Sequence, residues 1–268
     1  MNPLQWLRKN LVLVGGLLVL VYMFVPIFVV VLMSFNKPKS KLIYRFDGFT
    51  LDNWLHPCQD PSMCHAVGRS IEIGLLATVA ATLLGTLMAF ALVRHQFHGR
   101  TAANLVIFLP MASPEIVMGS SLLALFVASG FGGQLGFWTI LIAHIMFCLS
   151  FVVVTVRARL AGLDNNLEQA AMDLYATESQ TFWRVTFPLV FPGILGAALL
   201  SFSLSFDDFI ITNLNAGNTT TFPMYVWGVA QRGVPMQVNV VGTVMFVVSI
   251  AIVLGAELNR RRQEKALA

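Results

Sequence analysis

Five stretches of this 268-residue chain run without one charged side chain: 11–36, 73–93, 116–156, 185–206 and 233–256. A helix rises about 1.5 Å per residue. Crossing the roughly 30 Å hydrocarbon layer of a bilayer therefore takes about 20 apolar residues, and every stretch meets that length. Hydrophobic residues make up 57% of the chain and charged ones 11%, against about 25% charged in an ordinary soluble domain. That leaves too little polar surface to cover a water-soluble fold, so lipid must be the solvent. Lipid offers no partner to backbone N–H and C=O groups, which must pair within each spanning segment, as in an α-helix. The stretch 116–156 is too long for one span, and GFGGQLG at 130–136 divides it with a glycine-rich turn. The chain is thus predicted to be an all-α membrane protein with six transmembrane helices, near 11–34, 70–93, 103–127, 137–156, 190–214 and 238–258.

Arg8 and Lys9 ahead of the first run imitate a secretion signal. The run exceeds a signal core and no small-residue cleavage site follows, so it reads as a retained first helix. Orientation follows the Lys and Arg of the connecting segments, which favour the cytoplasm. With the N-terminus inside, the inner segments hold Arg8, Lys9, Arg94, Arg100, Arg157, Arg159, Arg184, Arg260, Arg261, Arg262 and Lys265. The outer ones hold only Lys37, Lys39, Lys41, Arg45, Arg69 and Arg232. This balance puts both termini in the cytoplasm. The net charge of +4 then serves orientation rather than nucleic-acid binding, for which no basic groove or aromatic platform is present. Three regions follow: 1–69, first helix and outer loop; 70–258, transmembrane core with a cytoplasmic loop at about 160–190; and 259–268, a cytoplasmic tail.

That loop is the odd element. NLEQAAMDLYATESQTFWRVTFPLVFP, 166–192, is polar at its start, acidic and helix-forming, and it leads into the fifth span. Asn165 or Asn166 can cap a helix, and Glu168 stands three residues after Asn165, as in a capping box. Leu167, Ala170, Ala171 and Leu174 then repeat at i, i+3, i+4 and i+7, one apolar stripe on a short helix. Thr177 with Gln180 forms a second cap, and Pro188 and Pro192 mark the entry to the span. The first helix is too short to cross a membrane and lacks the basic flank that favours an anionic lipid surface. A small apolar face with acidic edges suits a protein groove. The segment reads as a docking element.

The segment resembles the EAA loop of ABC-importer permeases, a coupling helix that enters a cleft of the ATPase subunit. Ala170 and Ala171 match the alanines, Asp173 and Leu174 the following positions, and Phe187-Pro188 the end of the motif. Gln169 stands where the motif's Glu falls, with Glu168 one residue earlier, and Tyr175 replaces its Gly. MASPEIVMGSSLL (111–123), LGFWTILIAHIMFCLSFVVVTVRARLAGLD (135–164) and SFSLSFDDFIITN (201–213) are similar to the spermidine/putrescine permeases of the PotC type. The resemblance runs from the second helix to the sixth and is strongest from 105 to 215. It implies the six-helix, MetI-like fold of type I ABC importers and no cofactor in this chain, with ATP and Mg bound by a partner ATPase dimer. It also implies a second permease subunit, an extracytoplasmic binding protein, and polyamine as cargo. Relatives in the wider family carry iron, opines or thiamine.

Ionisable groups at membrane depth usually face a bundle interior or a water-filled path. Three acids qualify: Glu115 in the third helix, after Pro114, and Asp207 with Asp208 in the fifth. No Lys or Arg in those spans neutralises them. For a cationic substrate they are suitable partners, and Phe206, Phe209 and Trp138 could add cation–π contacts. The competing reading places the Asp pair at a helix end, or bonded to hydroxyls of a partner subunit. Neighbours on a helix point about 100° apart, so one Asp should line the path and the other be satisfied by packing. Glu72 reads as a rim residue. His144, alone in the fourth span, reads as a packing or hydrogen-bonding residue, and Cys148 as a small core residue. Cys58 and Cys64, in HPCQDPSMCH of the outer loop, have three fates open. They can form a disulfide, which an oxidising compartment favours, stay as free thiols, or share a zinc site with His56 and His65.

No GxxxxGK phosphate loop, HExxH zinc helix or GxSxG nucleophile turn occurs. A membrane enzyme is therefore disfavoured. A cation-coupled secondary transporter using Asp207 and Asp208 is the other competitor, and the docking segment and lack of visible inverted repeats argue against it.

Overall fold

The structure is a computed structural model describing residues 10–40, 45–164 and 166–267. Its helices in chain order are α1 Leu11–Ser34, α2 Asp52–Leu55, α3 Pro61–Arg94, α4 Arg100–Ala112, α5 Glu115–Ala128, α6 Phe137–Ala161, α7 Asn166–Asp173, α8 Glu178–Thr181, α9 Phe187–Asp207, α10 Ile210–Asn215, α11 Phe222–Ala230 and α12 Met236–Leu267. A π turn, Phe182–Thr186, joins α8 to α9, so that Glu178–Asp207 is one 30-residue rod. Five helices are long and apolar enough to cross a membrane: α1, α3, α6, that rod, and Met236–Gly255 within α12. The bent pair α4–α5 makes a sixth when taken as one span.

Two of the expected spans are broken. The helix predicted over 103–127 is two helices meeting at 111°. Pro114 causes the break: its ring bars the helical conformation from the residue before it, and Ser113 is accordingly extended at ψ 139°. The helix predicted over 190–214 starts earlier and stops at Asp207. Asp208 is extended at ψ 125°, and α10 then starts afresh. Helix α11 was not anticipated at all. Nine apolar residues fall below the length at which periodicity separates a helix from a buried strand.

The chain divides into two compact units. In the unit formed by Met1–Cys64 and Val226–Ala268, α1 lies along α12, with Phe24 edge-on to Phe246 and Val30 against Gly242. Asn36, fully buried, ties down the connection after α1. Its side chain donates to the Arg45 carbonyl at 2.7 Å and accepts from the Asp47 N–H at 2.9 Å. Asn53 donates to the carbonyls of Ser34 and Asn36, and Phe35 stacks between Phe49 and Trp54. Cys58 and Cys64 are joined, with Cα atoms 5.5 Å apart. Both sulfurs are thereby used, which removes the zinc alternative with His56 and His65. Peptide mapping of non-reduced protein is expected to recover 58 and 64 linked. In the chain-entropy account so short a loop contributes about 2 kcal/mol. The double Cys→Ser variant should therefore insert normally while its 52–60 segment becomes more sensitive to protease.

In the unit His65–Tyr225, α6 is the central rod, covered by α9, α4 and α10. Its buried face runs through Phe147, Val152, Val153 and Val156. Helix α3 presents Gly85 there, where a Cβ would lie 2.7 Å from Val152. No side chain fits that crossing without moving one of the helices. Cys148 is buried in the same core.

Candidate functional site

Helix α7 buries none of its residues. Leu167 is 47% exposed and Leu174 82%, and of the apolar stripe only Ala171 is half-buried. Ahead of the helix, the Asp164 carboxylate accepts the Asn166 N–H at 2.9 Å. Asn166 is the first helical residue rather than the cap, and Asn165 lies outside the described residues. At the other end the Ala176 N–H reaches the Ala171 carbonyl and the Tyr175 N–H that of Met172, the bond pair of a Schellman turn. Thr177 and Gln180 then exchange both bonds of a capping box, as their spacing predicted.

Glu168 fastens this helix to the membrane rods. Its carboxylate takes both terminal nitrogens of Arg94, at the end of α3, and the Thr186 hydroxyl of the π turn at 2.6 Å. The Arg94 hydrogen bonds hold its pKa below the ordinary glutamate value, against the opposing effect of partial burial, and Thr186 adds to the lowering. Phe182 of the π turn packs on Phe90 of α3 at 5.5 Å and continues through Trp183 and Phe187 to Phe191. Helices α7, α3 and α9 are thus bound at one corner.

The two aspartates have separate surroundings. Asp208 is 8% exposed and accepts the Thr212 N–H and hydroxyl, each at 2.8 Å. His144 joins them, with Nε2 at 2.8 Å from the Thr212 hydroxyl and 3.4 Å from the Asp208 carboxylate. Its Nδ1 is 2.7 Å from the Ser205 hydroxyl. Since Thr212 gives its proton to Asp208, its oxygen accepts from Nε2–H, and in the neutral ring Nδ1 accepts from Ser205. His144 is thus a hydrogen-bonding core residue. Asp207 is exposed, on a stripe of α9 with Gly196, Leu200 and Ser203 that are exposed too. Glu115 is likewise exposed, in the first turn of α5. Both lie where a helix is interrupted.

The family described as the inner membrane component of binding-protein-dependent transport systems matches residues 81–262. The chain belongs to that family. This permease is 36% identical over 242 residues to the spermidine/putrescine transport system permease protein PotC of Haemophilus influenzae, covering 90% of this chain and 93% of that protein. It is likewise 36% identical over 251 residues to the putrescine transport system permease protein PotI of Escherichia coli, covering 91% and 89%. The crystal structure of a bacterial ABC transporter involved in the import of the acidic polysaccharide alginate shares the fold. Its TM-score is 0.70 at 16% identity, covering 98% of this chain and 99% of that one. The permease is therefore an inner-membrane transport subunit with several spans and not an enzyme, and it has the helical fold of ABC-importer permeases.

Of the predicted coupling residues, Gln169, Ala170 and Asp173 are exposed on α7, Ala171 is half-buried, and Leu174 and Tyr175 form its tip. Trp138 stands edge-on to Phe137 in the first turn of α6, and Phe209 occupies the break between α9 and α10. Glu72 pairs with Arg69 at 2.8 Å. Among the described residues no three His, Cys, Asp or Glu side chains gather as a metal site would require. Sequence reasoning missed Arg94 and Thr186 as partners of Glu168. It also missed Ser205 and Thr212 around His144, for which the lone intramembrane histidine was the available signal.

Proposed function

We propose that this permease imports polyamines, coupled to ATP hydrolysis by a partner ATPase dimer that docks on α7. The observation that carries the coupling reading is the uncovered helix Asn166–Asp173, fastened by Glu168 to both α3 and the rod of α9. ATP and Mg would bind the ATPase and not this chain. A second permease subunit would cover the exposed faces of α9 and α5, and an extracytoplasmic binding protein would deliver cargo. The Lys and Arg distribution supports both termini in the cytoplasm. Polyamine as cargo is supported by the two relatives and by the exposed carboxylates of Glu115 and Asp207. Neither 101–128 nor 187–215 holds a Lys or Arg to neutralise them.

Vesicles holding the complete complex should take up labelled spermidine and putrescine when supplied with ATP, and not thiamine, an opine or iron. The variant Ala171→Asp places an unpaired carboxylate on the docking face, where its burial costs several kcal/mol. It should insert normally, release the ATPase and lose uptake. Normal transport by that variant with the ATPase still bound would overturn the docking assignment.

A further inference from the structure

The turn that closes α7 is made in an unfavourable way. Tyr175 has φ 62° and is the one non-glycine residue with positive φ among those described. In that region Cβ crowds the backbone and glycine does not. The motif this segment resembles carries glycine there, and both bonds of the Schellman turn are backbone bonds that glycine would make equally well. The tyrosine therefore contributes nothing to the turn. Nor does its ring contribute to the fold, since Tyr175 is 96% exposed beside an 82% exposed Leu174. A strained residue with no use inside its own chain points to a use outside it.

We propose that Tyr175, with Leu174, is the anchor by which the coupling helix fills an apolar pocket of the ATPase subunit. This rests on the docking reading above and names the residue that holds the contact. Aromatic side chains at the tip of a surface element bury large area while losing few rotamers, which is why Tyr recurs among residues that dominate interfaces. The charge around the tip describes the pocket's rim. Asp173 and Glu178 are exposed on either side, and 166–183 contains no Lys or Arg. The complementary surface is an apolar pocket edged by basic side chains or N–H donors, with the phenol hydroxyl at its mouth.

The experiment measures ATPase affinity for the full permease complex in nanodiscs, using Tyr175→Phe, Tyr175→Ala and Tyr175→Gly. Phe should bind within about twofold of the parent, and Ala and Gly about tenfold more weakly, as for loss of an interface anchor. Gly is the decisive variant, because it relaxes the turn and so cannot fail by misfolding it. If Tyr175 is merely a tolerated turn residue, Gly will bind as well as the parent or better, and that result overturns the proposal. Ala171→Asp separates the two levels. If it releases the ATPase while Gly does not, the anchor alone is wrong. If it leaves the ATPase bound, the docking surface itself is wrong.

Discussion

Reversing the charge at Arg94, as in Arg94→Glu, is expected to abolish ATP-driven uptake while the subunit still inserts and its helices still pack. The guanidinium and the Glu168 carboxylate are 31% and 19% exposed, so solvent screens the pair and its contribution to stability is modest. Its importance is geometric. Glu168 touches both the end of α3 and the π turn that continues into α9. A push on α7 reaches two membrane rods through one carboxylate held in a planar, two-bond fork. With Glu facing Glu, α7 would swing free of that corner and ATP hydrolysis would no longer move the rods. A fall in uptake of about tenfold or more fits the size of ordinary site-to-site coupling, with ATP hydrolysis continuing. The swap Arg94→Glu with Glu168→Arg restores opposite charges and should recover part of the uptake, although Thr186 then faces a guanidinium. Uptake unchanged by the single reversal would show that the clasp carries no motion.

The pH dependence has a definite sign. Glu168 titrates below its ordinary value in the folded chain. A group with a lowered pKa contributes stability above its unfolded pKa and loses it as pH falls through the folded one. The clasp is therefore fully formed at neutral pH and opens only in acid below the ordinary glutamate range. Coupling should be flat through the physiological window, and lowering the pH towards 5 should not mimic Arg94→Glu.

Legibility in the sequence divided along physical lines. The apolar runs gave away the spans because lipid imposes a length that no tertiary context can override. The Thr177–Gln180 cap was legible because it closes over three residues. What failed was continuity. Pro114 stands inside the span predicted over 103–127, yet a sequence does not say whether a proline kinks a helix or turns it through 111°, because neighbouring helices decide where the second half packs. The stop at Asp207 is the same kind of miss. Nothing in SFDDFI marks a break until Asp208 is seen to accept the Thr212 N–H and hydroxyl one turn on, beside His144, which is distant in sequence. Asp207 ends α9 and Asp208 lies outside it, so the 100° divergence of helix neighbours does not apply to this pair. Arg94 and Glu168 are 74 residues apart, and single-sequence reading has no means of pairing them.

The sharpest contrast lies between the two neighbouring aspartates, each changed to Asn. Asp208 accepts from the Thr212 N–H and hydroxyl on one oxygen and faces the Ile211 N–H with the other. An Asn must turn its NH2 towards donors on one side or the other. A buried unsatisfied group of that kind costs about 1–3 kcal/mol, enough to lower the recovered amount of a membrane complex several-fold. Whatever Asp208→Asn protein does assemble should still carry substrate. Asp207 has the opposite exposure, so Asp207→Asn should leave recovery unchanged and reduce uptake. A unit charge about 4 Å from a cation at an effective dielectric near 20 is worth about 4 kcal/mol. Losing a third of that on the path is already about tenfold in rate. The loss should be steeper for spermidine than for putrescine, because the longer cation carries more charge past the same point. Glu115→Gln should act in the same direction, since Glu115 is likewise an exposed carboxylate beside an interrupted helix. If Asp207→Asn carries both polyamines at the parent rate, the exposed carboxylate is not on the path, and the stripe through Gly196, Leu200 and Ser203 is a contact surface for the second permease.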